Sequence, residues 1–250
     1  MRQIILAINA LLKFKAYTLI NVLGLACSLA CVLTVARYIH QENTVNQCFP
    51  EYKRICLIKT STSSGENFLG GYRSGLEKNP DVEQFTVIYQ ISDMPALFGE
   101  QEIAANAFSV DSTFFKIFPY RVIAGSGRIV RPRDVVITRS FWKKKLGGKN
   151  AIGATFKNTK GNKFTIIGVV DDPDTKTSWM PDIFMSDELD EFLFFDPIYA
   201  MLMAPDTDIA LLNKKYSKEH PRSKWSTYET VRYQYLPLKD LYYDKDHGKE

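Results

Sequence analysis

The sequence predicts an α+β protein in which one N-terminal transmembrane helix precedes a mixed α+β domain. Three observations carry that reading. The run Ala16–Ala36 contains no charged residue, and as a helix it spans roughly 30 Å, the hydrocarbon thickness of a bilayer. Beyond it, short stretches with a two-residue apolar period alternate with short helical patterns, separated by Gly, Pro and Asn. Finally, the formal net charge of +4 resides wholly at the N-terminal end, where Arg2, Lys13, Lys15 and Arg37 meet no acid. Residues 41–250 are therefore neutral. A nucleic-acid-binding domain needs surplus Lys and Arg to displace counterions from phosphates, so that class is excluded.

Residues 1–15 place Ile4, Ile5, Ile8, Leu11 and Leu12 at helical spacing, which predicts an amphipathic helix on the cytoplasmic face of a membrane. Residues 16–39 form the predicted span. Only Thr18, Asn21, Ser28 and Thr34 interrupt its apolar surface, whereas a soluble helix of that length shows a polar face. Gly24, Ala26, Ser28 and Ala30 suit either close packing against a second membrane helix or simple tolerance of lipid. Lys13 and Lys15 just before the span place the N-terminus in the cytoplasm, with Arg37 a weak opposing signal. The apolar run is long for a cleaved signal peptide. Cys27 and Cys31 each follow Leu-Ala as in bacterial lipoproteins, but Gly24 and Ser28 stand where a large aliphatic belongs. Cys48 and Cys56, outside the cytoplasm, are spaced so that a disulfide is permitted without being required.

Residues 40–250 make the predicted domain. Strands are expected at Tyr52–Thr60, Val82–Ile91, Ile103–Val110, Val135–Thr138, Thr155–Asn158, Lys163–Val170, Ile183–Met185, Tyr199–Met203 and Thr230–Leu236. Helices are expected at Tyr72–Lys78, after the capping residue Asp111, over Arg139–Leu146 up to Gly147-Gly148, and from Asp206 to about Lys218. Thr159-Lys160-Gly161-Asn162 joins two strands as a hairpin turn. Hairpins mixed with short helices imply α+β rather than a doubly wound parallel sheet.

Several motifs then line up in order. They are Asn9–Lys13 with Ala16–Ala26, Tyr52–Ile55, Val110-Asp111-Ser112-Thr113-Phe114-Phe115-Lys116-Ile117-Phe118, Ala124-Gly125, Val136–Ser140, Leu146-Gly147, Ala151-Ile152-Gly153 and Phe164–Val170. Their order and spacing resemble the N-terminal part of permeases of the MacB/FtsX class of ABC transporters, in the long form common in Bacteroidetes. The resemblance covers roughly residues 5–190. It departs from the family at Glu42-Asn43-Thr44-Val45-Asn46, where a Tyr-Asp pair is usual, and at Leu146, where an aromatic is usual. The family also continues into further transmembrane helices, so the sequence reads as a fragment of a longer permease or a truncated stand-alone form.

What the resemblance implies is a permease subunit, or its N-terminal part, in a bacterial inner membrane, with a cytoplasmic N-terminus and a periplasmic core domain. Its partners would be a cytoplasmic ABC ATPase and a second permease chain, as a homodimer or otherwise. It would couple the ATPase to periplasmic movement for export or efflux. The alternative is a membrane-tethered binding or regulatory module without an ATPase. The residues themselves point to no enzyme: no catalytic, cofactor-binding or metal-binding residue is assigned. His40, His220 and His247 lack ligand partners at metal spacing, and no Gly-Lys-Ser/Thr follows Gly70-Gly71 or Gly147-Gly148. Asp171-Asp172-Pro173-Asp174 reads as a solvated loop, and Phe141-Trp142-Lys143-Lys144-Lys145 as a solvated helix with one buried aromatic edge. Phe192–Phe195 suits a contact loop or the core.

Overall fold

A charge-free apolar run gains every backbone hydrogen bond internally only as a helix, and the first element obeys. The computed structural model describes residues 13–63, 67–70, 79–148, 150–186, 197–216, 220–221 and 230–244, in two compact units, Met1–Thr44 and Val45–Glu250. In the first unit, α1 (Lys15–Asn43) buries no side chain and is long and apolar enough to cross a membrane. Its polar side chains turn inward on the backbone: the Ser28 hydroxyl donates to the Gly24 carbonyl at 2.9 Å, and Thr34 to Ala30 at 2.8 Å. Thr44 ends the helix, donating both its N–H and its hydroxyl to the His40 carbonyl. The amphipathic helix expected over residues 1–15 falls almost wholly outside the described residues.

Among the described residues, the second unit is built on a mixed sheet of twelve strands. In chain order these are β1 (Ile55–Thr62), β2 (Asn67–Leu69), β3 (Val82–Phe98), β4 (Gln101–Val110), β5 (Val122–Gly125), β6 (Asp134–Thr138), β7 (Thr155–Lys157), β8 (Lys163–Val170), β9 (Ile183–Ser186), β10 (Ile198–Met203), β11 (His220–Pro221) and β12 (Thr230–Pro237). Their spatial order is β11-β12-β1-β10-β3-β4-β9-β6-β8-β5, with β2 on β1 and β7 bridging β3 and β8. Most pairs are antiparallel, but β4 runs parallel to β9 and β6 to β8. The α+β class read from the sequence is the observed one.

Both faces of the central strands are covered, which explains why β10 is buried along its whole length. Ile198, Ala200 and Leu202 join a front cluster with Ile55, Leu57 and Phe184. Tyr199, Met201 and Met203 join Cys56 and Ile58 at the back, under α4 (Ile209–Tyr216), whose Leu212 is buried there. A third cluster fills the space between the β3–β4 hairpin, β6, β8 and α3 (Arg139–Lys144), with Phe141, Phe156 and Phe164 at its centre.

The structure corrects several expected boundaries. Strand β3 does not stop at Ile91; a bulge between Ile91 and Met94, with Asp93 at φ +49°, absorbs the irregularity. The ladder then continues to a tight turn at Gly99-Glu100. The last long helix starts at Ile209, not Asp206, because Asp206 sits at φ +65° and the Asp208 carboxylate receives the Leu211 N–H at 3.0 Å. The short strands β2, β5 and β11 and the 3-10 turn Leu238–Tyr243 carry too few residues to show a period. The expected helix at Tyr72–Lys78 and the Phe192–Phe195 group lie outside the described residues.

Candidate functional site

Three residues after α1 ends, the chain enters the domain through Asn46, which is wholly buried at φ +64°. Asparagine tolerates this left-handed conformation better than most residues, because its short amide bonds locally. Every hydrogen-bonding capacity of the side chain is used across long sequence separations. Its Nδ2 donates to the Ser178 hydroxyl at 2.9 Å and to the Leu238 carbonyl at 3.0 Å. Its Oδ1 accepts from the Thr177 hydroxyl at 3.0 Å and from the Ser178 N–H at 2.7 Å. The backbone N–H donates to the Lys176 carbonyl at 2.9 Å. One residue thus knots together the start of the domain, the loop after β8 and the 3-10 turn that follows β12.

Neighbouring residues tighten the same knot. Val45 and Phe49 are buried, and the Phe49 ring meets Phe118 and Tyr120 edge-on at 5.0 and 5.7 Å. Phe118 belongs to the segment around α2 (Phe114–Ile117), whose start is held by Asp111: one carboxylate oxygen accepts the Thr113 and Phe114 N–H groups at 2.8 and 3.1 Å. At the other end, Lys176 donates to the Tyr242 hydroxyl at 2.6 Å, and Lys59 of β1 pairs with Asp244 at 2.7 Å. The segment that closes the described chain is therefore tied back to the place where the domain begins.

Beside the knot lies a cleft of about 140 Å³ lined by Cys48, Phe49, Pro119, Tyr120, Arg121 and residues 171–174. Strands β6 and β8 end side by side, Thr138 opposite Val170, and this register delivers Asp171 and Asp172 to the start of α3. Arg139 grips Asp171 through Nε and Nη2, each at 2.9 Å, and Arg121 bonds the same carboxylate. Asp172 accepts from the Ser140 N–H at 3.3 Å and its hydroxyl at 2.9 Å. The solvated-loop expectation is thus overturned for two of the three acids: Asp171 is buried and ion-paired, Asp172 caps a helix, and only Asp174 is exposed.

Ion pairing and burial set the electrostatics of the cleft. The Arg121 hydrogen bond holds the Asp171 carboxyl below its ordinary range, against the opposing pull of desolvation. Burial raises the Cys48 thiol and the Tyr120 phenol, so both stay protonated at neutral pH. Among the described residues no three His, Cys, Asp or Glu side chains gather to hold a metal ion. The arrangement locks three separate segments and a helix start into one packed unit.

Comparison with known proteins supports the fold. A family model described as the MacB-like periplasmic core domain matches residues 18–215. The chain belongs to that family. Among solved structures, a domain of a protein described as a permease from Porphyromonas gingivalis shares the fold. Its TM-score is 0.60 at 19% identity, covering 76% of this chain and 92% of that one. The periplasmic region of MacB from Actinobacillus actinomycetemcomitans follows, with a TM-score of 0.51 at 16% identity, covering 66% of this chain and 81% of that one. No curated protein matches the sequence. Core domains of the MacB-like family are parts of ABC transporter permeases, and this one is preceded by an apolar helix fit to cross a membrane.

Within the MacB-like core domain the other residues singled out by their sequence context separate. Cys48 packs against the front cluster while Cys56 is buried at the back, and both are free thiols. Burial pushes Cys56 up to about 12. The alternation along β1 decides this, since neighbouring strand residues point to opposite faces. Phe141 is buried while Lys143, Lys144 and Lys145 are exposed, as expected for α3. Sequence reasoning marked Asn46 only as a departure from the family's Tyr-Asp pair and missed Ser178 and Leu238 altogether. A polar residue of high turn propensity directly after a valine was the one available signal for Asn46.

Proposed function

We propose that the chain is a permease subunit, or its N-terminal part, of a MacB/FtsX-type ABC transporter. In this reading residues 16–39 cross the inner membrane with the N-terminus in the cytoplasm. Residues 1–15 lie against its cytoplasmic face, and residues 40–250 form the periplasmic core domain. A cytoplasmic ATPase and a second permease chain complete the assembly. ATP-driven movement of the helix reaches the domain through Asn46 and serves export or efflux. The observation that carries the reading is the family match over residues 18–215, which takes in most of the apolar helix, Asn46 and most of the sheet. Two residues, Thr44 and Val45, stand between the helix end and Asn46, so the connection is short along the chain.

The test is co-purification of the chain from its native membrane in mild detergent, with mass spectrometry of what accompanies it. Recovery of an ABC ATPase is the expected result, with its nucleotide-dependent coupling weakened by Asn46→Ala. A preparation that never brings down an ATPase would overturn the permease reading in favour of a tethered module.

A further inference from the structure

Charge is spread unevenly over the domain. Between residues 121 and 170 the sequence has twelve Lys and Arg and a single acid, Asp134, although residues 41–250 as a whole are neutral. Strand register gathers part of this surplus at one place. The β7–β8 hairpin sets Lys157 directly opposite Lys163, with Lys160 in the connecting turn. The Thr165 N–H donates to the Arg133 carbonyl at 2.9 Å, and the Arg133 guanidinium to Asn162 at 3.2 Å, bringing the loop before β6 alongside. Arg131, Arg133, Lys157, Lys160 and Lys163 are all exposed. Among the described residues, none of these five enters an ion pair.

Like charges set opposite each other on paired strands repel, so this arrangement is unfavourable in the isolated domain and becomes favourable only against an anion. Its position is informative. Strands β6 and β8 run parallel, with their C-terminal ends at the cleft beside Cys48 and their N-terminal ends at the cationic cluster. Eight residues of β8 put the cluster about 25 Å along the sheet from the place where the chain enters the domain. The cations are exposed ends of flexible stems, suited to steering and matching a broad anionic surface rather than to gripping a small anion. Beside them Val130, flanked by Arg128 and Arg131, is 77% exposed. A glycan or a free phosphate has no use for that apolar side chain; a protein face does.

We propose that this end of the domain docks a protein partner that presents Asp and Glu side chains around an apolar centre. The surface lies apart from the Asn46 knot, and its docking role stands whether or not the chain works with an ATPase. The test uses the full chain in its native membrane with a photoreactive phenylalanine analogue in place of Val130, and a control probe in place of exposed Leu211 on α4. Irradiation is expected to yield a protease-sensitive adduct whose cross-linked peptides are rich in Asp and Glu. Its yield should fall about tenfold in Lys157→Gln/Lys160→Gln/Lys163→Gln and in high salt, and part-way in Lys160→Gln alone. The triple variant should melt no lower than the wild type, because it loses only repulsion. An absent adduct, a protease-resistant glycan or lipid adduct, an equal yield from Leu211, or a yield indifferent to the substitutions would each overturn the proposal.

Discussion

Truncation of Asn46 to alanine tests the junction at its centre. The variant removes four side-chain hydrogen bonds, leaving the Ser178 N–H and the Leu238 carbonyl without their partner. Each net bond contributes about 1 kcal/mol, and an orphaned buried group costs somewhat more. Alanine must also hold the left-handed conformation at φ +64°, at a further cost of about 1 kcal/mol. A loss of roughly 5 kcal/mol or more follows, and for a domain of this size that is about 10–20 °C in melting temperature. Asn46→Gly separates the two contributions, since glycine accepts the backbone without strain and should recover about 1 kcal/mol. Asn46→Asp keeps the two accepted bonds but sets a carboxylate oxygen against the Leu238 carbonyl. Its folded pKa would be raised, so its stability deficit is present at neutral pH and shrinks as pH falls through that value. Intrinsic tryptophan fluorescence of the full chain in detergent reads the melt, because Trp179 is buried one residue from Ser178. An Asn46→Ala variant that melts within about 2 °C of wild type would refute the view that Asn46 holds the junction together.

Three further outcomes are expected. In Asp171→Asn the acid side of the stability profile flattens. The native carboxyl is held low by Arg121 and Arg139, so its contribution is present above the ordinary carboxylate pKa and lost as pH falls through the depressed one; acid titrations that superimpose on wild type would count against the ion pair. In a Cys27→Ser/Cys31→Ser background, Cys56 should resist thiol reagents in the native state and Cys48 should react slowly, with no internal disulfide under mild oxidant; a rapid loss of both thiols would contradict their placement on opposite faces. Gly168→Ala should destabilise by about 2–4 kcal/mol in denaturant titration, because its Cβ would collide with the Ser126 carbonyl where β5 closes on β8, and a neutral effect would dispute that contact.

Much of the architecture was legible because it rests on local chemistry. The length and apolarity that fit α1 to cross a membrane follow from a charge-free apolar run, and the alternation in β8 and β12 from a half-buried period of two. Asp111 announced a helical turn, and its carboxylate does receive the Thr113 and Phe114 N–H groups. The helix–strand order, together with the spaced motifs from Val110 to Val170, was enough to point to the MacB-like family, and the family match bears that out.

What the chain's own order could not show is which distant segments meet. Asn46 is separated from Leu238 by 192 residues and from Ser178 by 132, and no periodicity encodes such a pairing. Asp171 and Asp172 read as a solvated loop because the run lacks the Gly and distal Glu of a calcium-binding loop and directly follows a strand; the side-by-side endings of β6 and β8 supply Arg139 and Ser140, and Arg121 comes from the edge of β5. The cationic cluster is likewise scattered in sequence and assembled by register. Local propensity and hydrophobic period are properties of neighbours along the chain, so the sequence by itself determined the elements, the fold class and the membrane helix. Buried polar groups take whatever partner the packed sheet brings within about 3 Å, so the knot, the ion pair and the basic face were decided only in three dimensions.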